Sequence, residues 1–220
     1  DDIKKSKNPI LGSYEKNYNF DFSKETIRKY SKYKNIIIIG MGGSILGTQS
    51  IYYFFKKKIK KNVFFFNNLD LNLLYEYKKI KNLKNSCFIV VSKSGNTLET
   101  TTNLKLISKK ILLRNKLVVI TELKDSSLIN FAKKFNVEII EHKKFIPGRY
   151  SVLSEVGMFP AALMKLNVDK FKNLKNLINN KYFQSLLINN VSSIFTLNQT
   201  GINNSILVDI CPEILHSLLS

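Results

Sequence analysis

The sequence predicts an α/β fold in three layers, a parallel, doubly wound five-stranded sheet with helices on both faces. Three observations predict it. Short apolar runs alternate five times with helix-patterned segments, the order that builds a parallel sheet with right-handed crossovers. The runs are apolar throughout rather than every second residue, as in strands buried on both faces. Two of them end at once in turns rich in glycine and hydroxyls, Gly40 to Ser44 and Ser92 to Thr100.

In order along the chain, residues 1 to about 33 read as a polar arm and a helix from Ser23 to Tyr33. The first strand is Asn35 to Ile39, four isoleucines in a row. Helical spacing then runs from Ser44, the natural N-cap, to Phe55. The second strand is Val63 to Phe66, and Asp70 caps a helix to about Leu83. The third strand, Cys87 to Val91, leads through the hydroxyl turn into a helix from Leu98 to Leu113. The fourth strand is Leu117 to Thr121, followed by a helix capped by Ser126 or Ser127 and running to Lys134. Val137 to Ile140 is the fifth strand.

Beyond a polar loop from Glu141 to Tyr150, helices are expected over Leu153 to Leu166, Val168 to Asn179 and Leu186 to Leu197. Ile206 to Ile210 reads as a new strand, with the chain stopping soon after it. The expectation is a fragment: an arm over 1–33, a first domain over 34–180, and over 181–220 the start of a second α/β domain.

Composition narrows the function classes. With 220 residues and 44% hydrophobic content the chain can bury a sizeable core. The net charge of +19 is nearly all lysine, scattered over helix faces; Arg28, Arg114 and Arg149 are the arginines. Nucleic acid is therefore not the expected partner, since planar arginine forks are its usual readers. Cys87 and Cys211 read as two buried free thiols of a reducing, cytoplasmic setting. His142 and His216 have no companion at metal-ligand spacing. No run is long enough to cross a membrane and no apolar leader is present.

The stretch Ser92-Lys93-Ser94-Gly95-Asn96-Thr97-Leu98-Glu99-Thr100 carries the chemistry. Its short hydroxyls, one tight glycine turn and the start of a helix together suit a phosphate; taken alone it also fits a capped surface turn. Asn96 or Thr97 can cap the helix. Gly40-Met41-Gly42-Gly43-Ser44 suggests a nucleotide loop but fails both usual patterns: Ile45 stands where the dinucleotide fingerprint needs glycine, and Thr48 where the P-loop needs lysine. Bare backbone at Gly43 beside a hydroxyl loop suits a phosphorylated polyol better than a base.

Three motifs in order, Gly40-Met41-Gly42-Gly43-Ser44-Ile45-Leu46-Gly47, the Ser92 to Thr100 stretch, and Gly148-Arg149-Tyr150-Ser151-Val152-Leu153-Ser154, resemble those of the glucose-6-phosphate isomerase family. That family is built of two sugar-isomerase (SIS) domains, and the resemblance runs from about Lys34 onward. It implies reversible isomerisation of glucose 6-phosphate and fructose 6-phosphate through a cis-enediol, in glycolysis and gluconeogenesis, with no metal and no organic cofactor. It also implies a homodimer. By the same resemblance Ser92, Ser94, Thr97 and Thr100 hold the substrate phosphate with the backbone N–H of Lys93. Gly43 and Ser44 approach the sugar, and Arg149 stabilises the developing negative charge. A salt bridge or a loop anchor is the other reading of Arg149.

Two departures bear on this. Pro147 stands where the family usually has a glycine before Gly148, which stiffens the approach to Arg149. The family's general-base glutamate, ring-opening histidine and lysine fall beyond Ser220, and Glu213, His216, His142 and Glu155 match none of them. The fragment alone is therefore expected to be inactive, since proton transfer needs a base in reach. The rivals are a non-catalytic sugar-phosphate-binding SIS regulator and a lyase or aminotransferase domain of the same fold.

Overall fold

In a computed structural model of the protein, residues 9–15, 17–70, 75, 77–108 and 116–201 are described. One sheet holds five strands: β1 (Asn35–Ile39), β2 (Asn62–Phe66), β3 (Ser86–Val91), β4 (Leu117–Thr121) and β5 (Glu138–Glu141). Every pairing is parallel, and the order across the sheet is β2-β1-β3-β4-β5. The chain reverses its winding between β1 and β3. At such a switch point the loops leaving the two strands diverge and open a crevice.

Full burial of both faces explains the unbroken apolar runs. All residues of β1, β3 and β4 are buried. The pleat sends alternate side chains to opposite faces. Ile36, Ile38, Cys87, Ile89, Val118 and Ile120 share a core with Tyr30, Ile45, Val156 and Phe159. Ile37, Ile39, Phe88, Val90 and Val119 pack instead with Leu104, Leu128 and Ala132. The first face is therefore covered by α1 (Lys24–Ser31), by Ile45 at the start of α2 (Leu46–Phe55), and by α5 (Glu155–Leu163). The second is covered by α3 (Leu98–Ser108) and α4 (Ser127–Phe135). The free thiol of Cys87 is pushed up to about 12 by burial, which leaves it an inert core side chain.

The caps follow local chemistry. Ser23 accepts from the Thr26 N–H at 3.1 Å and starts α1. Ser126 accepts from the Ile129 N–H at 3.4 Å and starts α4, which Asn136 ends in a left-handed conformation.

The helix boundaries depart from expectation in several places. Ser44 does not cap α2. Gly42, at φ +52°, winds Gly42–Ser44 into a 3-10 turn, and the helix begins at Leu46 with Ile45 in the cap position. A second 3-10 turn, Gly148–Leu153, occupies the start of the helix expected at Leu153, so α5 begins only at Glu155 behind the Ser154 cap. The stretch from Val168 divides into a 3-10 turn, Val168–Asn173, and α6 (Leu174–Ile178). The last helix is longer than expected, α7 (Lys181–Gln199), because Asn180 caps it by accepting from the Phe183 N–H.

Of the helix expected from Asp70 to Leu83, residues 75 and 77–79 are helical and Leu83 belongs to a 3-10 turn; residues 71–74 and 76 lie outside the described residues. The expected end of α3, the strand Ile206 to Ile210, Arg114, Cys211, Glu213 and His216 also lie outside them.

Candidate functional site

The turn after β3 gathers three hydroxyls. Ser92 Oγ lies 2.8 Å from Thr97 Oγ1, and Ser94 Oγ lies 3.5 Å from each of them. Gly95 makes this possible. At φ +71° it folds the chain back, so that its N–H reaches both the carbonyl and the hydroxyl of Ser92 at 3.2 Å. A Cβ there would stand 2.2 Å from Ser126 Oγ, so the loop packs directly on the cap of α4. Asn96 does not cap its own helix; its side-chain oxygen accepts from the Ser127 N–H at 2.8 Å.

Thr97 occupies the cap position of α3, its carbonyl accepting from Thr101 N–H at 3.0 Å, while its hydroxyl turns to Ser92. Among the described residues no protein group accepts from the N–H of Leu98, Glu99 or Thr100. Three hydroxyls and the positive end of a helix thus converge at one strand end. Thr100 sits one turn into α3, buried, and is not bonded to the other hydroxyls.

The turn after β1 lies alongside. Ile39 pairs with Val90, which brings the backbone at Gly40 beside Val91 at the entry to the hydroxyl turn. From there the glycine loop meets the loop carrying Arg149. A Cβ on Gly43 would stand 2.5 Å from the Gly148 carbonyl carbon and 2.7 Å from the Arg149 nitrogen. Glycine is required here by contact, not by dihedral angle. The Ser151 hydroxyl fastens the same junction, at 2.6 Å from the Gly148 carbonyl and 3.3 Å from the Gly43 carbonyl. Ser44 is buried within this turn.

Arg149 is exposed on its 3-10 turn. It forms no ion pair with a carboxylate among the described residues, and its charge is open to an anion. Pro147, fixed at φ −64°, leads into it.

The Lys93 side chain leaves the hydroxyl loop for its neighbours. Nζ lies 2.9 Å from the Lys144 carbonyl, 3.0 Å from the Ile146 carbonyl and 3.4 Å from Glu122 Oε1. Burial alone would raise the Glu122 carboxyl, but its hydrogen bonds and charge contacts with Lys124 and Lys93 outweigh that and hold it below the usual carboxylate range.

Two buried titratable groups stand near without joining the site. His142 follows β5, with Nδ1 3.2 Å from the Lys143 carbonyl and Nε2 buried without a partner; burial depresses its pKa. Glu155 is fully buried at the start of α5. It accepts from the Tyr18 hydroxyl at 2.8 Å and from the Asp21 N–H at 3.2 Å, which pins the N-terminal arm; burial raises its pKa. Among the described residues no group of three His, Cys, Asp or Glu side chains is placed to hold a metal ion, and no helix is long and apolar enough to cross a membrane.

The structure brings together Ser92, Ser94 and Thr97, and brings Gly43 against Arg149. Sequence reasoning found the Ser126 cap but missed its packing against Gly95, the side-chain reach of Lys93 and the role of Ser151. Their signal was present: a serine cap after β4 and a serine two residues beyond Arg149.

Fold and strand-end loops together define a doubly wound α/β domain with three hydroxyls and a helix N-terminus gathered at its switch point. The profile of the phosphoglucose isomerase family matches residues 23–208, and the chain belongs to that family. The glucose-6-phosphate isomerase of Methanocaldococcus jannaschii is 37% identical over 155 residues, covering 69% of this chain and 38% of that relative. That of Mesomycoplasma hyopneumoniae strain 232 is 31% identical over 175 residues, covering 74% of this chain and 41% of the relative. The chain thus spans well under half the length of these relatives. A crystal structure of a glucose-6-phosphate isomerase from Chlamydia trachomatis superposes with a TM-score of 0.58 at 26% identity, over 68% of this chain and 30% of that one. A hypothetical protein from Thermus thermophilus shares the fold, with a TM-score of 0.66 at 24% identity over 80% of this chain and 45% of that one.

Proposed function

We propose that this chain is the substrate-phosphate half of a glucose-6-phosphate isomerase. One observation carries the reading: the hydroxyls of Ser92, Ser94 and Thr97 converge within 3.5 Å at the switch point, beside the loop that presents Arg149. The three hydroxyls, with the N-terminus of α3 and the backbone N–H of Lys93, hold the 6-phosphate. By the same reading Thr100, whose buried hydroxyl has no protein partner, belongs to this phosphate site. Gly43 and Ser44 form the floor under the sugar.

The reaction moves a proton between C2 and C1. A base removes the C2 proton of the open-chain aldose, its carbonyl becomes an enediolate, and the proton returns to C1 of the ketose. The Arg149 guanidinium faces the enediolate oxygens, where a fixed positive charge lowers the barrier. By the family resemblance the base and the ring-opening groups belong to the length of the relatives that this chain does not cover, and the proton transfer needs them.

Residues 34–180 form the first SIS domain, and 181–220 begin the second. The boundary is supported by α7, which buries none of its side chains here and exposes Ile188, Val191 and Ile194. A homodimer and a cytoplasmic setting belong to the same reading and rest on the family resemblance.

The experiment is fructose 6-phosphate with the whole gene product in D2O. Glucose 6-phosphate carrying deuterium at C2 supports the enediol route. Absence of any isomerisation refutes the reading.

A further inference from the structure

We propose that the Lys93 side chain is a positioning residue for Arg149, fixing the arginine loop at a set distance from the hydroxyl loop, and that it does not bind the substrate phosphate. The inference rests on the reading of Arg149 given above and adds a role to a side chain of which only the backbone N–H had one.

The geometry is that of a brace between three adjacent strand ends. The backbone of Lys93 sits between Ser92 and Ser94, and its carbonyl accepts from the Glu122 N–H at 3.2 Å. Its ammonium has three protons and three oxygens around it: Lys144 at 2.9 Å, Ile146 at 3.0 Å and Glu122 at 3.4 Å. All its donors are engaged within the protein. Reaching a phosphate would break these charge-assisted bonds and leave the two carbonyls without this donor.

The far end of the brace leads to the arginine. Ile146 is fully buried, Pro147 is fixed at φ −64°, and Gly148 and Arg149 follow. On its other side the Gly148–Arg149 peptide rests on Gly43. The arginine loop is therefore clamped between Lys93 and the glycine turn. Lys93 is covalently part of the loop that would hold the phosphate and is hydrogen-bonded to the loop that presents the cation. Displacing a catalytic group by about 1 Å costs on the order of a hundredfold in rate, so a loosened brace is read in turnover before it is read in binding.

The test uses the whole gene product with Lys93→Met, which keeps the apolar stem, and Lys93→Arg, which keeps the charge. Three quantities are read: kcat and KM for fructose 6-phosphate, competitive inhibition by inorganic phosphate, and amide hydrogen exchange across residues 144–150. In Lys93→Met, kcat is expected to fall about 10- to 100-fold, while KM and phosphate inhibition move by less than about threefold. Exchange at Ile146 and Tyr150 accelerates, and Lys93→Arg recovers most of both effects.

A rise in KM and a loss of phosphate inhibition with kcat unchanged would make Lys93 a phosphate ligand and overturn the proposal. Unchanged exchange across 144–150 overturns it as well. If Lys93→Met does not fold, Lys93→Gln takes its place, with a reduced kcat at unchanged KM expected and an altered phosphate inhibition contradicting. Wild-type protein without isomerase activity refutes the proposed function instead, and the exchange measurement still decides whether the brace exists.

Discussion

Gly43 lies against the peptide between Gly148 and Arg149 so closely that a methyl group on it would stand 2.6 Å from the Gly148 oxygen. Two strand-end loops far apart in sequence are thereby in backbone contact. The loop that bears the candidate cation takes its position from a residue with no side chain at all.

Gly43→Ala is therefore expected to push the Gly148–Arg149 peptide outward. The overpacking costs about 1–3 kcal/mol of stability, and the displaced arginine lowers kcat of the whole gene product by at least about tenfold. Thermal unfolding and steady-state kinetics check the two effects. Gly42→Ala is the comparison: nothing lies within 4 Å of a Cβ there, so its cost comes only from the positive φ of +52°.

His142 predicts a pH dependence of stability. Burial holds its folded pKa below the ordinary value of 6.5, so the unfolded chain takes up the proton first as pH falls. The contribution is fully present above about 6.5 and is lost as pH falls through that value toward the depressed folded one. His142→Gln is expected to flatten the melting temperature between about pH 7 and pH 5 relative to wild type. Equal slopes in the two proteins would contradict this.

Much of the sheet was legible from residues. Unbroken runs such as Ile36 to Ile39 could only be strands covered on both faces, and five of them alternating with helical spacing fixed the class. The hydroxyl loop was legible for a similar reason, since Gly95 between short hydroxyls implies a tight turn. What could not be read was contact across the sheet. Nothing local to Lys93 says that its ammonium reaches Lys144 and Ile146, because that pairing depends on β3, β4 and β5 being neighbours. The Ser44 cap failed because a positive φ at Gly42 inserted a 3-10 turn, a backbone choice glycine permits but does not announce. Asn96 failed as a cap because the fold offered it the Ser127 N–H of another helix.

Arg149→Ala separates the two readings of that residue. If the guanidinium faces the enediolate, kcat falls by at least about a hundredfold with a smaller change in KM. A change confined to KM would make it a binding residue for the ground state only.

The most direct measurement is the affinity of the whole gene product for fructose 6-phosphate, titrated calorimetrically, in wild type, Ser94→Ala and Thr97→Ala. Each hydroxyl that bonds the phosphate dianion contributes about 1.5–3 kcal/mol, so each variant is expected to bind roughly 10- to 150-fold more weakly with its melting temperature little changed. Affinity equal to wild type in both variants would remove the hydroxyl loop from the substrate site and contradict the account.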